Sequence, residues 1–229
     1  MKKYIKNIVK YTAILFFAVV MSGCDLSLRD DFDFDDELDS EYNFNLTAWE
    51  WVQTRTTSGL TLASQASGEE FDYMIEAIKI SGLIEEYNQM SNTERTYLML
   101  NNNAFTGGGD IIQVVTGSAN VGASETIADV LADANIERLK KLLRYHIVTT
   151  YITQKDPLLD YTAEYTFQTL IDGEDGIIVF ERNERYAISL NDSPTLPSTR
   201  EPENVRNHNY LFSNGIGHII ADYVRVVPF

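Results

Sequence analysis

The chain has 229 residues, with 18 Lys and Arg against 34 Asp and Glu and a formal net charge of −16. A hydrophobic fraction of 44% and an aromatic fraction of 11% exclude a disordered or fibrous chain, and the length suffices to bury a core without covalent staples. One cysteine excludes a disulfide framework and a cysteine-rich zinc or iron–sulfur site. The acidic excess argues against nucleic acid as a partner, because phosphate binding needs a basic face.

Residues 1–23 read as a signal peptide. Lys2, Lys3, Lys6 and Lys10 form a basic start, and the apolar stretch Ala13 to Met21 that follows is shorter than a bilayer-spanning helix. It ends in Ser22-Gly23 and then Cys24, the only cysteine, placed where a lipoprotein signal peptidase would cut. The segment resembles a bacterial lipobox, with Met21 in place of the usual Leu. The alternative is an ordinary secretory signal with a chance cysteine. In the lipobox reading Cys24 is the acylated first residue of the mature protein and its lipid attachment point, holding it to the outer membrane without a spanning helix. Residues 24–44 then form an acidic tether carrying Asp30, Asp31, Asp33, Asp35, Asp36, Glu37, Asp39 and Glu41, whose like charges extend it. The run from Asp31 to Asp35 superficially suggests a calcium loop, but an EF-hand needs Gly sixth and Glu twelfth, and Asp36 and Tyr42 stand there.

Residues 45–229 show no composition break and no repeat. Ser67 to Glu70 fits a capping box ahead of Phe71, Met74, Ile75 and Ile78 at helical spacing, with Gly82 as the stop. Leu83 to Met90 continues as a short helix. Ser124 is a cap for a helix over Ile127, Val130 and Leu131, and a further helix spans Asn135 to Ile147 with Ile136, Leu139, Leu142, Leu143 and Ile147 on one face. The period then shortens. Phe167, Thr169 and Ile171 alternate, residues 172–176 form a turn, Ile177 to Phe180 is a β-type run, and Tyr186, Ile188 and Leu190 alternate again. Asn191 to Asn209, with three prolines, reads as a long surface loop, Asn214-Gly215 as a turn, and His218 to Val227 as a last strand. Helices first and strands last predict an α+β fold.

The inventory for chemistry is thin. His146, His208 and His218 lie in a helix, a loop and a strand, and no pair has metal-ligand spacing; no cofactor and no metal is expected. No Gly-x-Ser-x-Gly elbow or phosphate-binding loop occurs, and Gly107 to Gly109 reads as a flexible loop. A glycosidase-type carboxylate pair stays open, with no pair singled out. His146 falls on the apolar face of its helix and His218 opens a strand, so packing is expected for both; His208 is expected to be solvated.

Three segments resemble a fasciclin-type domain. Leu98 to Phe105 is similar to the family's first motif, with Asn102, Ala104 and Phe105 in agreement and Leu98, Leu100 and Asn101 departing from it. Leu142 to Val148 contains the family's Leu-Leu-x-Tyr-His with Tyr145 and His146. Asn214 to Asp222, followed by Val226-Val227-Pro228, is similar to the second motif through Asn214, Gly215, His218 and Asp222. The resemblance implies a β-wedge or barrel-like core flanked by N-terminal and central helices. It also implies a non-enzymatic extracellular module that binds proteins or glycans, and in some animal members the Tyr-His region is linked to receptors. Helical phase puts Tyr145 and His146 in packing roles here.

Three functions stay in competition. The first is a surface-anchored adhesion or binding lipoprotein of a Gram-negative envelope with a protein or glycan ligand, using exposed aromatics drawn from Trp49, Trp51, Tyr151, Tyr161, Tyr165 and Tyr210. Most of these six are expected in the core. The second is an accessory subunit of an outer-membrane transporter complex for glycans or peptides, which would show a large apolar patch. The third is a hydrolase with a carboxylate site.

Overall fold

The computed structural model describes residues 44–227 and Phe229. Residues 1–43, which hold the expected signal peptide, Cys24 and nearly all of the expected tether, and Pro228 lie outside the described residues.

The first helix, α1 (Ala48–Gln53), is set by a reciprocal cap. The Glu50 amide donates to Thr47 Oγ1 at 3.1 Å, and the Thr47 amide donates to Glu50 Oε2 at 2.9 Å. Ahead of it, the chain runs beside a sheet edge: the Phe44 amide donates to Leu211 O, and Ser213 donates to Leu46 O at 2.8 Å. The next helix, α2 (Asp72–Ser81), ends where expected, with Gly82 left-handed at φ 70°. Its start differs from expectation. Phe71 precedes it without a side-chain cap, and Ser67 to Glu70 is a separate turn. The first-turn amide of Tyr73 instead finds Asn102 Oδ1 at 3.1 Å, a partner from a different element. α3 (Ile84–Asn88) follows.

Helices α4 (Asn102–Thr106) and α5 (Ile111–Thr116) come next in sequence after the strand β1 (Arg95–Leu100). α6 (Ile127–Leu131) is capped by Thr126, bonded reciprocally with Asp129, and not by Ser124. α7 (Ile136–Tyr145) starts on Asn135, whose Oδ1 accepts from Arg138 N at 3.1 Å, and buries Leu139, Leu142, Leu143 and Tyr145.

Two four-stranded sheets form the core, both open, so the architecture is a wedge and not a closed barrel. The remaining strands are β2 (Ile147–Val148), β3 (Tyr165–Gln168), β4 (Ile177–Arg182), β5 (Ile188–Leu190), β6 (Glu203–Asn204), β7 (Asn207–Phe212) and β8 (Gly215–Ile220). The first sheet has the order β2-β1-β8-β7, with β1 and β8 parallel in register from Arg95↔Gly215 to Leu100↔Ile220. Every residue of β8, and all of β1 but Arg95, is buried. Such a strand reads as a continuous apolar run without alternation, as Tyr97-Leu98-Met99-Leu100 does. The second sheet, β3-β4-β5-β6, is antiparallel throughout. The sheets meet where Val148 bridges Thr169 and Thr149 N donates to Gln168 O.

Two expectations need correction. Asn191 to Asn209 is not a plain surface loop: it contains β6 and the start of β7, and Asn191 and Ser193 are fully buried. Asn191 pairs by its own backbone and by its side chain with Val179, so polar groups hold the segment where apolar ones are missing. The last strand covers Gly215–Ile220, and Val224 to Val226 continue as packed irregular chain.

Candidate functional site

The motif residues are best understood from the bonds they make. Asn102 is fully buried; its Nδ2 donates to Ser67 O and, at 2.9 Å, to Asp72 Oδ2, while Asp72 also accepts from Thr57 N and Oγ1. One amide thus locks the entry of α2 to the start of α4. Ala104 and Phe105 face the core, with Phe105 stacked on Tyr73 at 5.5 Å between centroids.

Tyr145 and His146 join α7 to three other segments. The Tyr145 hydroxyl donates to Ile177 O at 2.7 Å and accepts from Asn191 Nδ2 at 3.0 Å. His146 has no exposed surface; its Nδ1 lies 2.8 Å from Leu142 O, and Val224 N donates to Nε2 at 3.0 Å. The neutral tautomer with its proton on Nδ1 satisfies both contacts. Burial pulls its pKa down to about 4, against a smaller upward pull from the Leu142 carbonyl.

Asn214 is the most connected. Its Oδ1 accepts from Ala48 N at 2.9 Å, and its Nδ2 donates to Tyr87 O at 2.9 Å and Tyr97 Oη at 3.0 Å. Gly215 beside it has φ 148°, and a Cβ there would stand 2.3 Å from Arg95 O, so no larger residue fits. His218 donates from Nε2 to Ile152 O at 2.8 Å and accepts from Asn209 N at 3.3 Å. Burial lowers its pKa to about 3. His208, expected to be solvated, instead lies in β7, half-buried, 5.8 Å from the His218 ring, with Ile188 N donating to its Nε2; burial lowers its pKa to about 4. Asp222 is half-buried and accepts from Tyr223 N at 2.7 Å; burial raises its pKa.

The motif residues therefore do not converge on one open site. Apart from Asp222, which accepts only from its neighbour, their polar atoms hold backbone groups of other segments, chemistry that fixes geometry. Among the described residues, no group of three His, Cys, Asp or Glu is placed to hold a metal ion, and no helix is long and apolar enough to cross a membrane. A groove of about 130 Å³ is lined by Ser189, Asp192, Pro202, Glu203 and Asn204. It lies below the ~300–1,000 Å³ usual for small-molecule sites. It has two carboxylates, and burial followed by the charge of Asp222 raises Glu203.

The aromatic candidates divide. Trp49, Trp51 and Tyr210 belong to the core, Trp51 being packed against Phe44, Phe71, Tyr210 and Phe212. Tyr151 and Tyr165 are half-buried, and Tyr161 is exposed. Leu159 and Tyr186 are exposed too, and Arg182 donates to the Leu158 and Leu159 carbonyls and lies 4.6 Å from the centre of the Tyr186 ring. Leu159 follows Leu158 and Pro157, and a surplus apolar residue in so polar a stretch is the signal that would have found it.

Two open four-stranded sheets flanked by helices, with the motif side chains buried and internally bonded apart from half-buried Asp222, make this an α+β fold. The family model of the fasciclin domain matches residues 69–224. The chain belongs to the fasciclin domain family. Among solved structures it is similar to a fasciclin domain pair from the insect cell adhesion molecule fasciclin I, at 14% identity and a TM-score of 0.46, covering 78% of this chain and 50% of that one. The chain therefore spans about half the length of that structure. No curated protein matches it.

Proposed function

We propose that the protein is a non-enzymatic binding or adhesion module, anchored by lipid at Cys24 to the outer membrane of a Gram-negative bacterium and facing the cell exterior. The observation that carries this reading is the inward use of the motif side chains, half-buried Asp222 apart, in a fasciclin domain. With those groups committed to backbone partners, recognition falls to exposed loops. The lipobox-like Ser22-Gly23-Cys24 and the acidic stretch behind it supply the anchor and the spacing.

The accessory-subunit reading calls for a broad apolar patch. Among the described residues the large apolar side chains exposed are Met90, Leu159, Tyr161 and Tyr186, and this small set favours a module acting through its own ligand. Protease treatment of intact cells carrying a C-terminally tagged protein tests the proposal. Loss of the tag from whole cells, and release of the protein from the membrane fraction by Cys24→Ser, are the expected results. A tag protected in intact cells and degraded only after lysis would reject surface display.

A further inference from the structure

β7 loses register against β8 between Asn207 and Tyr210, so His208 and Asn209 form a bulge, with Asn209 left-handed at φ 60°. Three segments close on this bulge. From β8, His218 Nδ1 accepts from Asn209 N at 3.3 Å. From the loop after β2, Gln154 N donates to Asn209 Oδ1 at 3.2 Å, and Asn209 Nδ2 donates to Gln154 Oε1 at 3.1 Å. From β5, in the other sheet, Ile188 N donates to His208 Nε2 at 3.4 Å. The same loop is bound again at Ile152 O, which accepts from His218 Nε2 at 2.8 Å, while Gln154 Nε2 donates to Tyr186 O at 2.8 Å just ahead of β5. The two imidazoles, edge to face with centroids 5.8 Å apart, thus join the β7 edge of the first sheet to β5 of the second.

We propose that the His208–His218 pair is an acid-operated latch, which on protonation releases the 207–210 bulge from β5 and from the Ile152–Gln154 segment while the β1–β8 pair stays closed. Each neutral ring uses one nitrogen to accept a backbone N–H, His208 from Ile188 and His218 from Asn209. A proton on that nitrogen turns the acceptor into a donor, and the amide facing it loses its partner. Protonating both rings breaks both bonds and sets two like charges 5.8 Å apart. Once the bulge is free, rings and amides turn to water, and that open form takes up protons at the ordinary ~6.5 of a solvated imidazole. Burial lowers His208 to about 4. Burial lowers His218 to about 3, against the pull of the Ile152 carbonyl and with a further push from His208. The closed form is therefore fully favoured above ~pH 6.5 and loses ground as pH falls toward the folded values. The segments packed against the pair carry Tyr151, Lys155 and Asp156 in the loop, Glu184, Arg185 and Tyr186 in the β4–β5 hairpin, and Arg206 and Tyr210 on and beside β7. Among the described residues the charge that shifts either ring is that of His208 on His218, so no carboxylate offsets the acid response. His208, half-buried, is the ring that water reaches first.

The test is amide hydrogen exchange on the full chain in detergent at pH 7, 6 and 5, corrected for the intrinsic exchange rate at each pH, with His208→Gln alongside. Gln keeps an acceptor for Ile188 N and binds no proton in this range. His146 also resists protonation, but it faces Leu142 O and Val224 N at the end of α7, so its titration loads a different joint. Protection of the loop and bulge amides is expected to fall by more than about a hundredfold from pH 7 to pH 5, close to twentyfold for each ring, while β1 loses less than about threefold. In His208→Gln the fall should shrink to about twentyfold, the share of His218 alone. The proposal is overturned if loop and bulge protection does not change between pH 7 and 5, if it falls in step with β1, or if His208→Gln falls as far as the parent. Should His208→Gln fail to fold, ring titration of the parent by NMR decides: either ring taking up its proton above ~pH 6 in the folded protein overturns the latch.

Discussion

The two sheets share one core but are built differently. The first buries its central strands on both faces and keeps three polar keys inside it, Asn214, His218 and His146 near its edge. The second has shorter strands, a half-exposed face, and a hairpin, residues 183–187, that stands wholly in solvent. Wherever backbone groups are cut off from water, a side chain of a defined shape must answer each of them, so the residues there are few in kind. That is why the resemblance to the family is carried by α4, the end of α7, and β8 with its flanks. Where water can do the same work, the sequence is free, and surface chemistry can be placed there.

Substitutions should rank by this contrast. Asn214→Ala orphans Ala48 N–H and Tyr87 O inside the core, and a loss of roughly 3–5 kcal/mol is expected in urea unfolding. A loss under about 1 kcal/mol would show that the first sheet does not depend on its buried amide. Acid comes next. His146 and His218 have folded pKa values of about 4 and about 3, below the ~6.5 of the unfolded chain. The unfolded chain therefore binds more protons between these limits. Their contribution is fully present above ~pH 6.5 and is lost as pH falls through the folded values, at up to ~2.7 kcal/mol per pH unit for the pair. The raised carboxyls of Asp222, Glu203 and Glu181 act in the opposite sense and soften the slope. Unfolding free energies measured at pH 7, 6, 5 and 4 check the direction; stability unchanged down to pH 4 would contradict it.

Tyr145→Phe removes one hydroxyl that links α7 to β4 and Asn191, and ~1–2 kcal/mol is expected. At the small end, Tyr161→Ala in the second region should move the unfolding midpoint by no more than ~0.5 kcal/mol equivalent. If it cost as much as Tyr145→Phe, the division between the two regions would be wrong.

Local signals made part of this legible. The Leu139, Leu142 and Leu143 stripe of α7, the Gly82 stop, the turn at 172–176 and the Asn214-Gly215 reversal all arise from neighbours in sequence and stand as expected, whereas Ile147, expected on the same helical face, lies past the helix end in β2. What stayed hidden depends on distance. The start of α2 looked like a capping box at Ser67, yet its cap is Asn102, thirty positions away. His208 stands among polar residues and looked wet, and only the register of β7 sets it beside His218. Asn191 to Asn209 lacked apolar spacing because Asn191 and Ser193 are buried through hydrogen bonds. Tyr161 is legible as a candidate exposed aromatic, but the tie that Arg182 makes between Leu159 O and the Tyr186 ring exists only through tertiary contacts.

The register of the central pair also governs the order in which the chain can mature. β1 finds its parallel neighbour about 120 positions later, in β8. Until Gly215–Ile220 has been synthesised, Tyr97 to Leu100 has β2 on one side and no strand on the other. A chain truncated before Gly215 should accordingly be cut by protease along its whole length, while the complete chain resists. Completion of β8, more than the emergence of any early helix, is then the moment at which this domain becomes solid.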